Sequence, residues 1–223
     1  MLWHLARQCG LQAKRSVQFD ATRRWLVETA LKYGNVVSLS CHGQFVRENF
    51  LRSALLLAQG ECIQLGDLLN GSINLRGLRL LILSACQTQV FNLSGAYNEV
   101  RSLASGALQA GAKAVLGSLW PVNDRATFLL MTRFAQEWFP AIEVKSPAVA
   151  LAQAQYWLRT ITYRELEEWS ARTMRLYQFN TQSVLSTMLS EIQYQAQIHA
   201  KTAPDTRPYA SPYYWAGFQI IGW

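Results

Sequence analysis

The sequence predicts an α/β protein: a three-layer sandwich with a mostly parallel central sheet and helices on both faces. Three observations carry that prediction. Residues 78–83 read LRLLIL, a short apolar run with almost no polar relief, the pattern of a strand buried on both faces of a parallel sheet. Two further β-rich runs, 36–41 (VVSLSC) and 114–119 (AVLGSL), lie on either side of it in the chain. Between and after them come segments with apolar residues at helical spacing, so strands alternate with helices as layered α/β domains require.

Taken in order, the first 20 residues carry no clear period. Over 21–33, Trp25, Leu26, Thr29 and Ala30 recur at helical spacing, and Gly34 follows as a C-terminal stop. The strand at 36–41 holds Cys41 and delivers His42 and Gly43 at its carboxyl end. Residues 54–58 and 63–65 are short apolar pieces divided by Gln59-Gly60-Glu61, a hairpin pattern, and 66–69 suggests a short helix. The central run ends at Ser84-Ala85-Cys86, and a polar loop continues to Gly95. Val100, Leu103, Ala104, Ala107 and Leu108 then share one helical face, closed by Gly111.

The strand at 114–119 turns through residues 121–124 into a helix with Ala126, Leu129, Leu130 and Phe134 on one face. Asp124 has the chemistry of an N-cap for that helix. Ser146-Pro147 opens another, with a capping hydroxyl and a proline at the first helical position. Residues 163–200 are helical, with the apolar stripe Leu185, Met188, Leu189 and Ile192 and with Asn180 as a dividing point. That stretch reads as an insertion before the last core element, used for packing or for a partner. Prolines 204, 208 and 212 mark an extended linker, and 213–221 ends the chain as an aromatic-rich strand. The domain itself is expected over 36–223, with 1–35 as an N-terminal segment.

Composition narrows the function classes. The chain has 223 residues, half of them hydrophobic and 16% charged, enough to bury one sizeable core. Its net charge of +7 is scattered, with Lys14-Arg15 and Arg23-Arg24 as the only basic doublets. A solvated basic surface, or one that meets an acidic protein, fits this better than nucleic-acid binding. No run approaches the roughly 18 apolar residues of a membrane span, and the amino terminus lacks a signal-peptide apolar region, so a cytoplasmic protein is expected. Cys9, Cys41, Cys62 and Cys86 form no C-x-x-C pair, which argues for free thiols and against structural zinc; no cofactor is expected.

The chemistry gathers at two strand ends. The sequence holds no G-x-S-x-G, Walker A, G-x-G-x-x-G or H-E-x-x-H pattern. What remains is His42-Gly43 after one strand and Ser84-Ala85-Cys86 after another, with 86 − 42 = 44 positions between histidine and cysteine. Caspases place their histidine about 50 residues before the cysteine. Ligands and chemistry in open α/β sheets sit outside the carboxyl ends of the strands, so Cys86 is a candidate nucleophile. Its bland reading is a small core residue, and the same reading holds for Cys41 within its strand. Cys9, Cys62, His4 and His199 have no constellation around them. Trp120 either packs or lines a cleft.

A wider set of motifs gives these residues a family. CHGQF, LRSALLLA, LGDLLN, LRLLILSACQTQ, GALQAGAKAVLGSLWPVNDRAT, SPAVALAQAQYWL and PYYWAGFQIIGW together resemble the CHAT domain. This caspase-like module is named for its association with tetratricopeptide repeats and is related to caspases, gingipains and separases. The resemblance implies a cysteine peptidase acting on protein or peptide substrates, with Cys86 as nucleophile, His42 as acid and base, and the backbone N–H groups of Gly43 and Cys86 as the oxyanion hole. It further implies that Asp124 receives a basic P1 side chain, with Trp120 in the same cleft, and that a partner or a tetratricopeptide-repeat sensor gates activity. Gln89 stands where the family usually has glycine, and members generally extend further upstream of the histidine strand. The alternative expectation is therefore a truncated or degenerate copy acting as a catalytically inactive interaction module.

Overall fold

A computed structural model of the chain describes residues 2–44, 46, 48–83, 102–177 and 184–222. The strands are β1 (Val36–Leu39), β2 (His42–Gln44), β3 (Ala54–Leu56), β4 (Cys62–Gln64), β5 (Leu80–Leu83), β6 (Ala114–Ser118) and β7 (Phe218–Gly222). The helices are α1 (Leu2–Gln8), α2 (Arg23–Trp25), α3 (Leu31–Tyr33), α4 (Leu65–Leu69), α5 (Leu103–Gln109), α6 (Asp124–Trp138), α7 (Pro147–Thr160), α8 (Tyr163–Tyr177), α9 (Val184–Thr202) and α10 (Pro212–Trp215). They form two compact units. One comprises Lys14–Val122 with Gly217–Trp223, and the other Met1–Ala13 with Asn123–Ala216.

The first unit carries the sheets. Its larger sheet has the order β1-β5-β6-β7, with β1, β5 and β6 mutually parallel and β7 antiparallel at the edge. All four residues of β5 are buried, as its unrelieved apolar sequence predicts. A smaller antiparallel sheet, β2-β3-β4, contains the predicted hairpin. Alternation puts Val37, Leu81, Leu83 and Val115 on the face that packs with Leu26, Leu65, Leu68, Leu103 and Ala107 of the helices. A void of about 20 Å³ remains among Leu26, Leu39, Leu55, Leu83 and Leu103. With only apolar side chains around it, it offers a water no partner and belongs to the packing.

Thr22 caps α2 through a hydroxyl that accepts from the Trp25 N–H at 3.2 Å, and the helix passes through a π turn at Leu26–Ala30 into α3. Gly34 ends it as expected, with an extended rather than a left-handed backbone. Its φ is −84°, and a Cβ there would lie 2.5 Å from the Ala30 carbonyl oxygen and 3.1 Å from Val37 Cγ2. Glycine is needed for close approach of helix and strand. Cys41 lies beyond β1, between it and β2, and not within the strand.

The carboxyl-terminal strand is also shorter than predicted. Pro212 presets the first position of the single turn α10, so the chain becomes extended only at Phe218. Gly217 makes the join, because a Cβ at that position would sit 3.0 Å from the Trp120 ring.

The second unit is helical. Residues 2–8, read as aperiodic, form α1 with Leu5 and Ala6 buried. Asn123, and not Asp124, caps α6: its Oδ1 accepts from the Ala126 N–H at 3.0 Å. Asp124 becomes the first helical residue, where a carboxylate still favours the positive end of the helix. Ala126, Leu129, Leu130 and Phe134 are buried as their spacing predicts. Ser146 and Pro147 open α7 in the expected way. Leu189 and Ile192 of the α9 stripe are buried, while Asn180 and the side chain of Leu185 lie outside the described residues. Val100, expected on the α5 face, also lies outside them.

Candidate active site

Three parallel strands end at one edge of the larger sheet. The partners Val36↔Leu80, Val37↔Leu81, Ser38↔Ile82 and Leu39↔Leu83 set β1 against β5 with a constant offset of 80 − 36 = 44 residues. His42 and Cys86 are separated by the same 86 − 42 = 44. Each therefore follows, by three residues, one member of the last cross-strand pair, Leu39 and Leu83. Three residues span at most about 11 Å. The histidine and the cysteine thus belong to chain segments launched from adjacent points of the same edge, where open α/β sheets hold their chemistry.

His42 is the first residue of β2 and is solvent-exposed. Its side chain makes no hydrogen bond or ion pair among the described residues. Its backbone is held in register with Leu56, and Gly43, half-buried, pairs with Leu55. β2 is anchored through β3 to β4, and β4 runs straight into α4, whose start is locked by a capping box between Gln64 and Asp67. Arg23 clamps this corner, with Nη1 donating to the Cys62 carbonyl at 2.8 Å and to Asp67 Oδ2 at 2.7 Å. The guanidinium holds the Asp67 carboxyl below the usual carboxylate range.

Cys86, proposed from the sequence as nucleophile and oxyanion donor, lies outside the described residues, as does Gln89. Trp120 is half-buried just past the carboxyl end of β6, on the third of the parallel strands, with its ring against Gly217. Asp124 is exposed at the first position of α6, in the other unit. The structure thus unites His42 and Gly43 on β2 and sets Trp120 at the end of a strand of the neighbouring sheet.

The described thiols differ sharply. Cys41, adjacent to His42 in sequence, packs against the core, and burial pushes its thiol up to about 11. At neutral pH only about one molecule in ten thousand carries it as the nucleophilic thiolate. Cys62 lies on β4, two strands from His42. Cys9 is exposed, and partial desolvation raises its thiol. Among the described residues, no group of three or more His, Cys, Asp or Glu is placed to hold a metal. None of their helices is long and apolar enough to cross a membrane.

A histidine and a cysteine following neighbouring parallel strand ends suit more than one α/β family, and comparison with known families decides between them. The CHAT domain model matches residues 4–223. The chain belongs to the CHAT domain family. A comparison with curated proteins gives no match. In this CHAT domain the match runs from α1 through β7 and so takes in both strand ends that carry the candidate residues.

One neighbour of His42 went unnoticed in the sequence. Leu56 is the cross-strand neighbour of His42 and stands 39% exposed. Its only sequence signal was membership of an apolar strand, which predicts burial.

Proposed function

We propose that this CHAT domain is a caspase-like cysteine endopeptidase whose dyad is His42 and Cys86. The Cys86 thiolate attacks the scissile carbonyl carbon and forms a C–S bond, and negative charge develops on the carbonyl oxygen. The backbone N–H groups of Gly43 and Cys86 are assigned to that oxyanion, a role in which one donor contributes about 2.7 to 4 kcal/mol to the transition state. Collapse breaks the C–N bond, and the His42 imidazolium passes its proton to the departing amine. Water, deprotonated by the same imidazole, then hydrolyses the thioester and returns the thiol.

The observation that carries this reading is the shared offset of 44: the β1–β5 register and the His42–Cys86 spacing are the same number, so both segments start from one cross-strand pair. Family membership and the exposed His42 support it. Burial of Cys41 removes the nearest competing thiol. Asp124, exposed six residues past the end of β6, is assigned the recognition of a basic P1 side chain. Gating by a partner, such as a tetratricopeptide-repeat sensor, is part of the same proposal.

The test is cleavage of protein and peptide substrates by the full chain, with candidate partners present. Cys86→Ala and His42→Ala should each lower turnover by at least about a hundredfold. Cleavage that survives Cys86→Ala would show that the dyad is not the catalyst and would leave an interaction module. Asp124→Ala should selectively weaken cleavage after Arg and Lys.

A further inference from the structure

We propose that Leu56 lines the subsite for the residue on the amine side of the scissile bond and selects an apolar side chain there. This inference rests on the peptidase reading. It starts from the small antiparallel sheet. His42 pairs with Leu56, and Leu56 pairs on its other side with Cys62, so the three form one row across β2, β3 and β4. Directly paired antiparallel residues point to the same face, with Cβ atoms about 4.5–5.5 Å apart. The adjacent row, Gly43, Leu55 and Ile63, faces the other way, and Leu55 and Ile63 are each 3% exposed in the core. His42 and Leu56 therefore share the outward face. The next row on that face, Gln44, Ala54 and Gln64, has polar ends but a buried centre, Ala54 being 3% exposed, so the open apolar part of β3 is Leu56 alone.

A single exposed leucine needs no explanation of its own. Its position beside the imidazole gives it a role, because the chemistry divides the substrate in two. The acyl portion stays on the cysteine sulfur, while the amine portion departs from the histidine that protonates it. The departing nitrogen must come within hydrogen-bond distance of the imidazole, about 3 Å. Its Cα is about 1.5 Å further on and its Cβ one bond beyond that. The first side chain of the departing portion thus begins about 4–5 Å from the imidazole, a distance at which it can meet the side chain paired with His42 across the strands. Apolar area there, from Leu56 with Cys62 behind it, rewards an apolar side chain and disfavours a charged one.

One apolar contact of this kind is worth about tenfold in kcat/KM. The experiment uses the full chain and peptides that vary only at the position following the cleaved bond, with Cys86→Ala in parallel. Wild type should prefer Leu, Ile and Met over Gly and Asp by about tenfold. Leu56→Ala should flatten that preference to within about threefold, Leu56→Phe should move it towards smaller side chains, and Leu56→Asp should turn it towards Lys and Arg. Cleavage that depends on Cys86 but has the same profile in wild type, Leu56→Ala and Leu56→Phe overturns the subsite and leaves the peptidase reading standing. Absence of any Cys86-dependent cleavage overturns the peptidase reading and the subsite with it. The alanine and phenylalanine variants decide the matter if the aspartate variant does not fold.

Discussion

Folding should slow the alkylation of Cys41 and speed that of Cys86, and the first effect can be worked from the structure. Burial against the core raises the Cys41 thiol from about 9 to about 11. At pH 7.5 its thiolate fraction therefore drops about a hundredfold. The thiolate that does form is more nucleophilic, and a Brønsted slope of about 0.4–0.5 returns roughly six- to tenfold. Ionisation alone leaves Cys41 about tenfold slower in the native chain than in urea, and its partial burial slows it further. Cys86, as the proposed partner of His42, has the opposite expectation, because a nearby imidazolium stabilises a thiolate. The assay is timed iodoacetamide labelling of native and urea-unfolded protein between pH 6 and 10, read peptide by peptide by mass spectrometry. His42→Ala should remove the acceleration at Cys86 and leave Cys41 unchanged. Equal native and unfolded rates at Cys41 would refute the burial argument, and a Cys86 rate indifferent to His42 would refute the pairing.

Three further outcomes test the framework around the site. Arg23→Ala removes the bonds to the Cys62 carbonyl and to Asp67, on a side chain 35% exposed, so solvent screens part of the ion pair; a loss of about 1–2 kcal/mol is expected in urea unfolding. Arg23→Lys should recover little of it, since one ammonium lacks the guanidinium fork. Trp138→Ala should cost about 3–5 kcal/mol, because the ring is fully buried between Phe134 and Phe139 and its Nε1 donates to the Lys145 carbonyl at 3.0 Å; a smaller thermal shift than a core cavity produces would contradict that packing. Alkaline stability should fall in two stages. Cys41 stays protonated in the fold up to about 11, and Tyr209, raised by burial, up to about 12, whereas the unfolded chain ionises each earlier. Their stabilisation is complete below the unfolded values and is lost as pH rises through about 9–11 for Cys41 and 10–12 for Tyr209. Cys41→Ala should flatten the first stage and Tyr209→Phe the second, as followed by urea midpoints against pH.

By itself, the sequence determined the elements whose signal is local. The run LLIL declared a strand buried throughout, the spacing of Ala126, Leu129, Leu130 and Phe134 declared the buried face of α6, and Ser146-Pro147 declared the start of α7. Each depends on a period or a cap readable within a few residues. His42 and Cys86 became candidates on similarly local grounds, as chemistry-bearing residues just past apolar runs; His42 is exposed on β2, and Cys86 lies outside the described residues.

What only the tertiary structure decided is how distant segments meet. Asn123 and Asp124 are nearly equivalent as caps, and in the fold it is the asparagine that accepts from the Ala126 N–H. Gly34 ends its helix as the sequence suggested, but its close approach to Ala30 and Val37 was not readable there. The offset of 44 between β1 and β5 and the exposure of Leu56 beside His42 were invisible in the chain. A strand's own pattern says which residues share a face, but its partner and register are set by burying that face against residues far away in sequence. That non-local choice places His42 on an exposed edge and carries the reading of this CHAT domain as a peptidase.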